Sequence, residues 1–116
     1  VSVEIWVVLI VVAAVFILPR LLRGRKVPAS LVAEKIRSGA VILDVRSPEE
    51  FRSGAYPGAL NIPLGALAAR LSELPKGKPV VVYCASGVRS ASAARVLGAA
   101  GFADVLNAGG LGSMPR

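Results

Sequence analysis

The 116 residues leave room for one domain of ordinary size. A single cysteine excludes an internal disulfide, so the fold needs no oxidising compartment. The net charge of +7 is concentrated partly beside the N-terminus; the rest is scattered without interleaved aromatics, which reads as solvated surface and not as a nucleic-acid footprint.

Hydrophobic residues make up 54% of the chain and the mean hydropathy is +0.65, an excess that gathers at the N-terminus. The run IWVVLIVVAAVFIL from Ile5 to Leu18 is unbroken, and with Val1, Val3, Leu21 and Leu22 it approaches the roughly 20 residues a bilayer requires. Trp6 stands near one end, where its ring suits an interface. A signal-peptide core has similar length, but no Lys or Arg precedes this run and Pro19-Arg20-Leu21 is no cleavage motif. A buried core helix is the other alternative. The expectation is one transmembrane helix over 1–22, followed by a basic juxtamembrane linker over 23–28 and a domain over 29–116. Arg20, Arg23, Arg25 and Lys26 crowd the C-terminal flank, so the positive-inside rule makes this a single-pass membrane protein with a cytoplasmic domain.

Within the domain, Ser30 is expected to cap a helix reaching about Ser38, with Val32 and Ile36 inward and Gly39 as the stop. Val41 to Val45 reads as a short buried strand. Ser47-Pro48-Glu49-Glu50 is a capping box with proline at the first helical position, opening a short helix that ends before Gly54. Tyr56 to Pro63 is a structured loop with a brief strand near Leu60, and Tyr56 is assigned to packing. Leu64, Leu67, Ala68, Leu71 and Leu74 follow helical spacing. Val80-Val81-Val82-Tyr83 suits a strand buried on both faces, and Ala93, Val96, Leu97 and Ala100 lie on one face of a helix that Gly101 ends. Val105-Leu106 is a last short strand. Strands alternating with helices predict an α/β domain with a central parallel sheet flanked by helices.

Between the central strand and its helix lies Cys84-Ala85-Ser86-Gly87-Val88-Arg89. A thiol there faces unpaired N–H groups at the positive end of a helix, which favours thiolate. Gly87 lets the backbone curl so that successive N–H groups point inward, and Arg89 adds a fixed charge. Free cysteine more often packs as a small hydrophobe, but a core cysteine has no use for this glycine, this arginine or this strand-to-helix switch. Arg46 ends a strand on the side where α/β sheets place their sites; it either positions an anionic donor or pairs with Glu49 or Glu50. Asp44 reads as structural, Ser86 as a turn hydroxyl or a sulfur ligand, and Ser90 as a cap for the following helix.

The segment YCASGVRSASAARVLGAAGFADV resembles the active-site region of the rhodanese family of sulfurtransferases. LDVRSPEEF over 43–51, GAYPGALNIP over 54–63 and Asn107-Ala108-Gly109-Gly110 resemble three further family motifs, so the likeness runs from about Val27 to Met114. Two departures stand out: Ala55 replaces the family's usual histidine, and Met114 occupies the place of a common tryptophan, which suggests a loosened C-terminus. The resemblance implies a small rhodanese-like domain that moves a sulfane sulfur through a Cys84 persulfide. Ala85, Ser86, Gly87, Val88, Arg89 and Arg46 would bind the substrate. Thiosulfate or a persulfide would be the donor, and cyanide, a thiol or a protein thiol the acceptor. No metal, cofactor or nucleic acid is implied. Cysteine-based phosphatases use Cys-x5-Arg after a histidine; here the spacing is Cys-x4-Arg after Tyr83, which fits a single sulfur better. A non-enzymatic sulfur-carrier or interaction module at the membrane is the alternative.

Overall fold

The computed structural model describes residues 2–18 and 24–116. Helix α1 (Val3–Val12) runs on into a π-helical turn, Ala13–Ile17. None of its residues is buried, and valine, leucine, isoleucine, phenylalanine and tryptophan side chains are exposed on every side of it. Among the described residues no helix is long and apolar enough to cross a membrane. The expected span over 1–22 is therefore not established, and Val1 and residues 19–22 lie outside the described part.

The domain alternates helix and strand: α2 (Ala29–Arg37), β1 (Val41–Asp44), α3 (Pro48–Ser53), β2 (Leu60–Asn61), α4 (Leu64–Leu67), β3 (Val80–Cys84), α5 (Val88–Ala99) and β4 (Val105–Gly110). All pairings are parallel and the strand order is β2-β1-β3-β4. From β1 the chain leaves toward one edge and from β3 toward the other. The carboxyl ends of β1 and β3 thus flank a topological switch point, where α/β sheets leave a crevice. Cys84 ends β3 there.

Every residue of β3 is buried, and its side chains alternate between two cores. Val80, Val82 and Cys84 pack with Leu43, Leu67, Ala93, Ala94, Leu97 and Phe102. Val81 and Tyr83 pack on the other face with Val32, Ile42, Leu106, Ala108 and Met114. This two-sided cover is why the strand reads as one continuous apolar run.

Several local expectations are corrected. Pro28, not Ser30, stands at the N-cap of α2, and Ser30 lies inside the helix. Leucines 64 to 74 do not form one helix: α4 stops at Leu67 and a 3-10 turn covers Leu71–Glu73. Leu67 and Leu74 are both buried, so their spacing records burial and not helical continuity. Strand β4 runs four residues beyond Leu106, because Asn107 continues the pairing in register with Val82 and Gly109 and Gly110 resume it after a slip that skips Ala108. Met114 is 6% exposed and sits in the core, and Tyr56 Oη donates to the Pro115 carbonyl at 2.7 Å, so the C-terminal turn is tied down.

The segment before the domain is docked too. Lys26 forms a parallel bridge with Asn107, the Val27 N–H donates to the Asn107 carbonyl at 2.9 Å, and Asn107 Nδ2 donates to the Gly24 carbonyl at 2.7 Å.

Candidate active site

The loop from Cys84 to Arg89 owes its shape to two glycines. Gly87 is the N-cap of α5 with φ +105°, a left-handed conformation that a side chain rarely adopts. Gly110 lies directly beneath the loop, where an added Cβ would sit 2.5 Å from the Ala85 carbonyl oxygen. The paired glycines of β4 are thus part of the site: they let the backbone of one strand approach the loop above another.

Around the sulfur, the Gly87 N–H donates to Cys84 Sγ at 3.0 Å and Ser90 Oγ lies 3.6 Å away. Burial pushes the Cys84 thiol up, but the Ser90 hydroxyl and the backbone N–H groups of Ser90, Gly87 and Ser86 outweigh it, and the thiol is held below its ordinary value. Cys84 itself is fully buried, beneath a rim made by Ala85, Ser86 and Val88, all of them exposed. The rim carries no charge.

Arg89 stands at the loop's far end, but its guanidinium is engaged. Nη1 and Nη2 donate to the two carboxylate oxygens of Glu50 at 2.7 and 3.0 Å, in a bidentate, part-exposed pair. Glu50 also completes the capping box of α3: its carboxylate accepts the Ser47 N–H and its own N–H donates to Ser47 Oγ. The Arg89 and Ser47 hydrogen bonds hold the Glu50 carboxyl down to about 2.

Arg46 commits its guanidinium to partners outside the loop. It is 6% exposed, and Nε and Nη2 donate to Asp44 at 2.8 to 3.1 Å while Nη2 also donates to the Gly54 carbonyl. Its partner is Asp44, not Glu49 or Glu50, because residues two apart leave a strand end on the same face. Tyr83 Oη donates to Asp44 Oδ2 at 2.7 Å and accepts the Tyr56 N–H at 2.9 Å, so this cluster braces the site from below.

Ser90, expected to be a cap, lies inside α5 because the helix starts at Val88. It is fully buried, and its Oγ is 2.7 Å from Asn107 Oδ1. Ser90 and Asn107 are the site residues that sequence reasoning missed. The available signal was a serine six residues after the cysteine, at i−3, i−4 and i−7 from Ala93, Ala94 and Leu97 and so on the buried face of the helix. Among the described residues no cluster of ligating side chains would hold a metal.

The rhodanese-like domain model matches residues 28–111. The uncharacterised protein YqhL of Bacillus subtilis is 37% identical over 106 residues, covering 87% of this chain and 84% of its own. The thiosulfate sulfurtransferase GlpE of Pseudomonas syringae is 34% identical over 86 residues, covering 74% and 81% respectively. Among solved structures, a rhodanese-like domain protein from Staphylococcus aureus superposes with a TM-score of 0.68 at 29% identity, over 79% of this chain and 92% of that one.

Proposed function

The chain belongs to the rhodanese-like domain family, and from that premise we propose that it is a sulfurtransferase whose Cys84 carries the sulfur. The observation that carries this reading is the Cys84 thiol held below its ordinary value by the hydroxyl and N–H groups around it. The thiolate attacks the outer sulfur of a donor; the S–S bond breaks and its electron pair leaves with sulfite or a thiolate. The terminal sulfur of the new persulfide is then taken by a nucleophile such as cyanide, a thiol or a protein cysteine, and the electron pair of that bond returns to Sγ. N–H groups aimed at the sulfur need no reorganisation during either step.

Donor preference follows from the rim. Ala85, Ser86 and Val88 are uncharged, and the positive charge of Arg89 is offset by Glu50. A thiosulfate dianion therefore finds little to hold its sulfonate group, and a less charged persulfide or polysulfide is the better donor. Ala85, Ser86, Gly87, Val88 and Arg89 form the substrate-binding loop in this reading.

Incubation with thiosulfate or a polysulfide should add about 32 Da, one sulfur, to the intact protein, and a thiol should remove it. Cys84→Ser should show neither the gain nor any turnover while remaining folded. Turnover in that variant would end the proposal. Loading without turnover toward any acceptor would favour a stoichiometric sulfur-carrier module instead.

We also propose that the apolar N-terminal segment, residues 1–22, seats the protein on a membrane with its domain on the cytoplasmic side. The exposure of apolar side chains on every side of α1, and the basic residues after it, support this. Carbonate-washed membranes should retain the full chain and a reporter fused after Arg116 should read cytoplasm. Recovery of the full chain in the wash is the contrary result.

A further inference from the structure

The hydroxyl of Ser90 has more acceptors than it can serve. Its Oγ lies 2.7 Å from Asn107 Oδ1, 3.0 Å from the Gly87 carbonyl, 3.3 Å from the Gly109 carbonyl and 3.6 Å from Cys84 Sγ. A serine hydroxyl has one proton to give. The orientation of the Asn107 amide is set by its other bonds: the Gly109 N–H donates to Oδ1 at 2.9 Å and Nδ2 donates to the Gly24 carbonyl at 2.7 Å. The amide oxygen therefore faces Ser90, and at the shortest of the four distances it takes the proton.

That arrangement suits a protonated Cys84, whose S–H can donate to the free lone pair of Ser90 Oγ. It does not suit an anionic sulfur, which only accepts. Turning the Ser90 O–H from Asn107 to the sulfur leaves no polar atom of the pair unpartnered. Asn107 Oδ1 keeps the Gly109 N–H, and the Gly87 carbonyl keeps the Ala91 N–H at 3.1 Å. A buried hydrogen-bond network normally loses a partner when one member turns away; this one has a spare.

We propose that Ser90 is a reversible hydrogen-bond donor to the Cys84 sulfur, turning from Asn107 Oδ1 when the sulfur becomes anionic, and that Asn107 is the positioning residue that holds the hydroxyl in reserve. The role rests on the reading of Cys84 as the sulfur carrier and places Ser90 in both steps. In loading, the O–H favours the thiolate that attacks. Once the Sγ–S bond has formed, Sγ is no longer anionic and the Ser90 O–H turns back to Asn107 Oδ1. In discharge the electron pair of the breaking bond arrives on Sγ, and the O–H meets it. The proton stays on Ser90 throughout; the thiol proton itself goes to solvent.

The test is the pH profile of iodoacetamide alkylation at Cys84, read by intact mass on the full chain. With one cysteine the signal has a single source, and the midpoint of the profile does not depend on how accessible the sulfur is. Ser90→Ala should move the midpoint up and slow alkylation below it about threefold to tenfold. Asn107→Leu should move it down, because the hydroxyl has lost its strongest competing acceptor. A residue that only packs would shift neither, and general loosening of the site would shift both the same way. An unchanged or lowered midpoint in folded Ser90→Ala overturns the proposal, as does an Asn107→Leu midpoint that stays or rises. If Asn107→Leu does not fold, Ser90→Ala decides alone. Alkylation needs no sulfur donor, so the sulfurtransferase reading fails separately, through absence of the 32 Da gain in the unmutated chain.

Discussion

The carboxylate of Glu50 closes the capping box at Ser47 and binds both terminal nitrogens of Arg89. Glutamine at this position keeps a capping group but not the charge. Glu50→Gln should therefore release the Arg89 guanidinium to the rim and lower the KM for thiosulfate several-fold. The gain should shrink as salt is added, because the pair is part-exposed; initial rates at two ionic strengths check both points. The variant also tests a pH dependence. With its carboxyl held down to about 2, Glu50 contributes stability that is present above the ordinary carboxylate range and lost as pH falls toward 2. That part of the acid limb should be missing in Glu50→Gln. At this scale the cysteine, Gly87 and the capping box were legible, since each is a local pattern with a local cause. The partners of Arg46 and Ser90 were not. Arg46 turns to Asp44 by strand alternation, and Ser90 faces the sulfur because α5 begins earlier than a serine cap would imply.

Strand β3 joins the two faces of the sheet, and Tyr83, next to the cysteine, carries the polar network on the face away from the sulfur. Asp44 is fully buried, yet Arg46 and Tyr83 satisfy its carboxylate, and Tyr83 also accepts the Tyr56 N–H. Burial pushes the Tyr83 phenol up to about 12. The hydroxyl thus stays protonated and donating through the neutral range, and stability that depends on it is lost as pH rises from the ordinary phenol value toward 12. Tyr83→Phe removes the hydroxyl and leaves the Tyr56 N–H without that acceptor. It should cost about 1–3 kcal/mol in denaturant unfolding with little change in slope, and it should flatten the alkaline limb. Among elements, β1, β3 and α3 were legible because burial or capping is written into consecutive residues. The break between α4 and the following 3-10 turn was not, since leucines at helical spacing report a buried face whether or not the backbone stays helical between them.

For the molecule as a whole, the alternation of strands and helices and the four motifs pointed to the fold. The docking of residues 24–27 on β4 had no such signal. It is made by backbone groups and by one asparagine side chain 83 positions away from its partner Gly24, and a Gly-Arg-Lys stretch carries no strand pattern. Its consequence concerns the borders of the sheet. An open parallel sheet ends in two rows of backbone donors and acceptors that another chain can extend. Here β2, on one border, is only two residues long. Strand β4, on the other, is six residues long and mostly buried, and residues 24–27 cover part of its outer row. A chain beginning at residue 29 should bare that row and self-associate with rising concentration in sedimentation velocity, whereas one beginning at residue 24 should not. The stretch leading into the domain is then a guard against strand-to-strand growth, supplied by a segment in which only Val27 has strand propensity of its own.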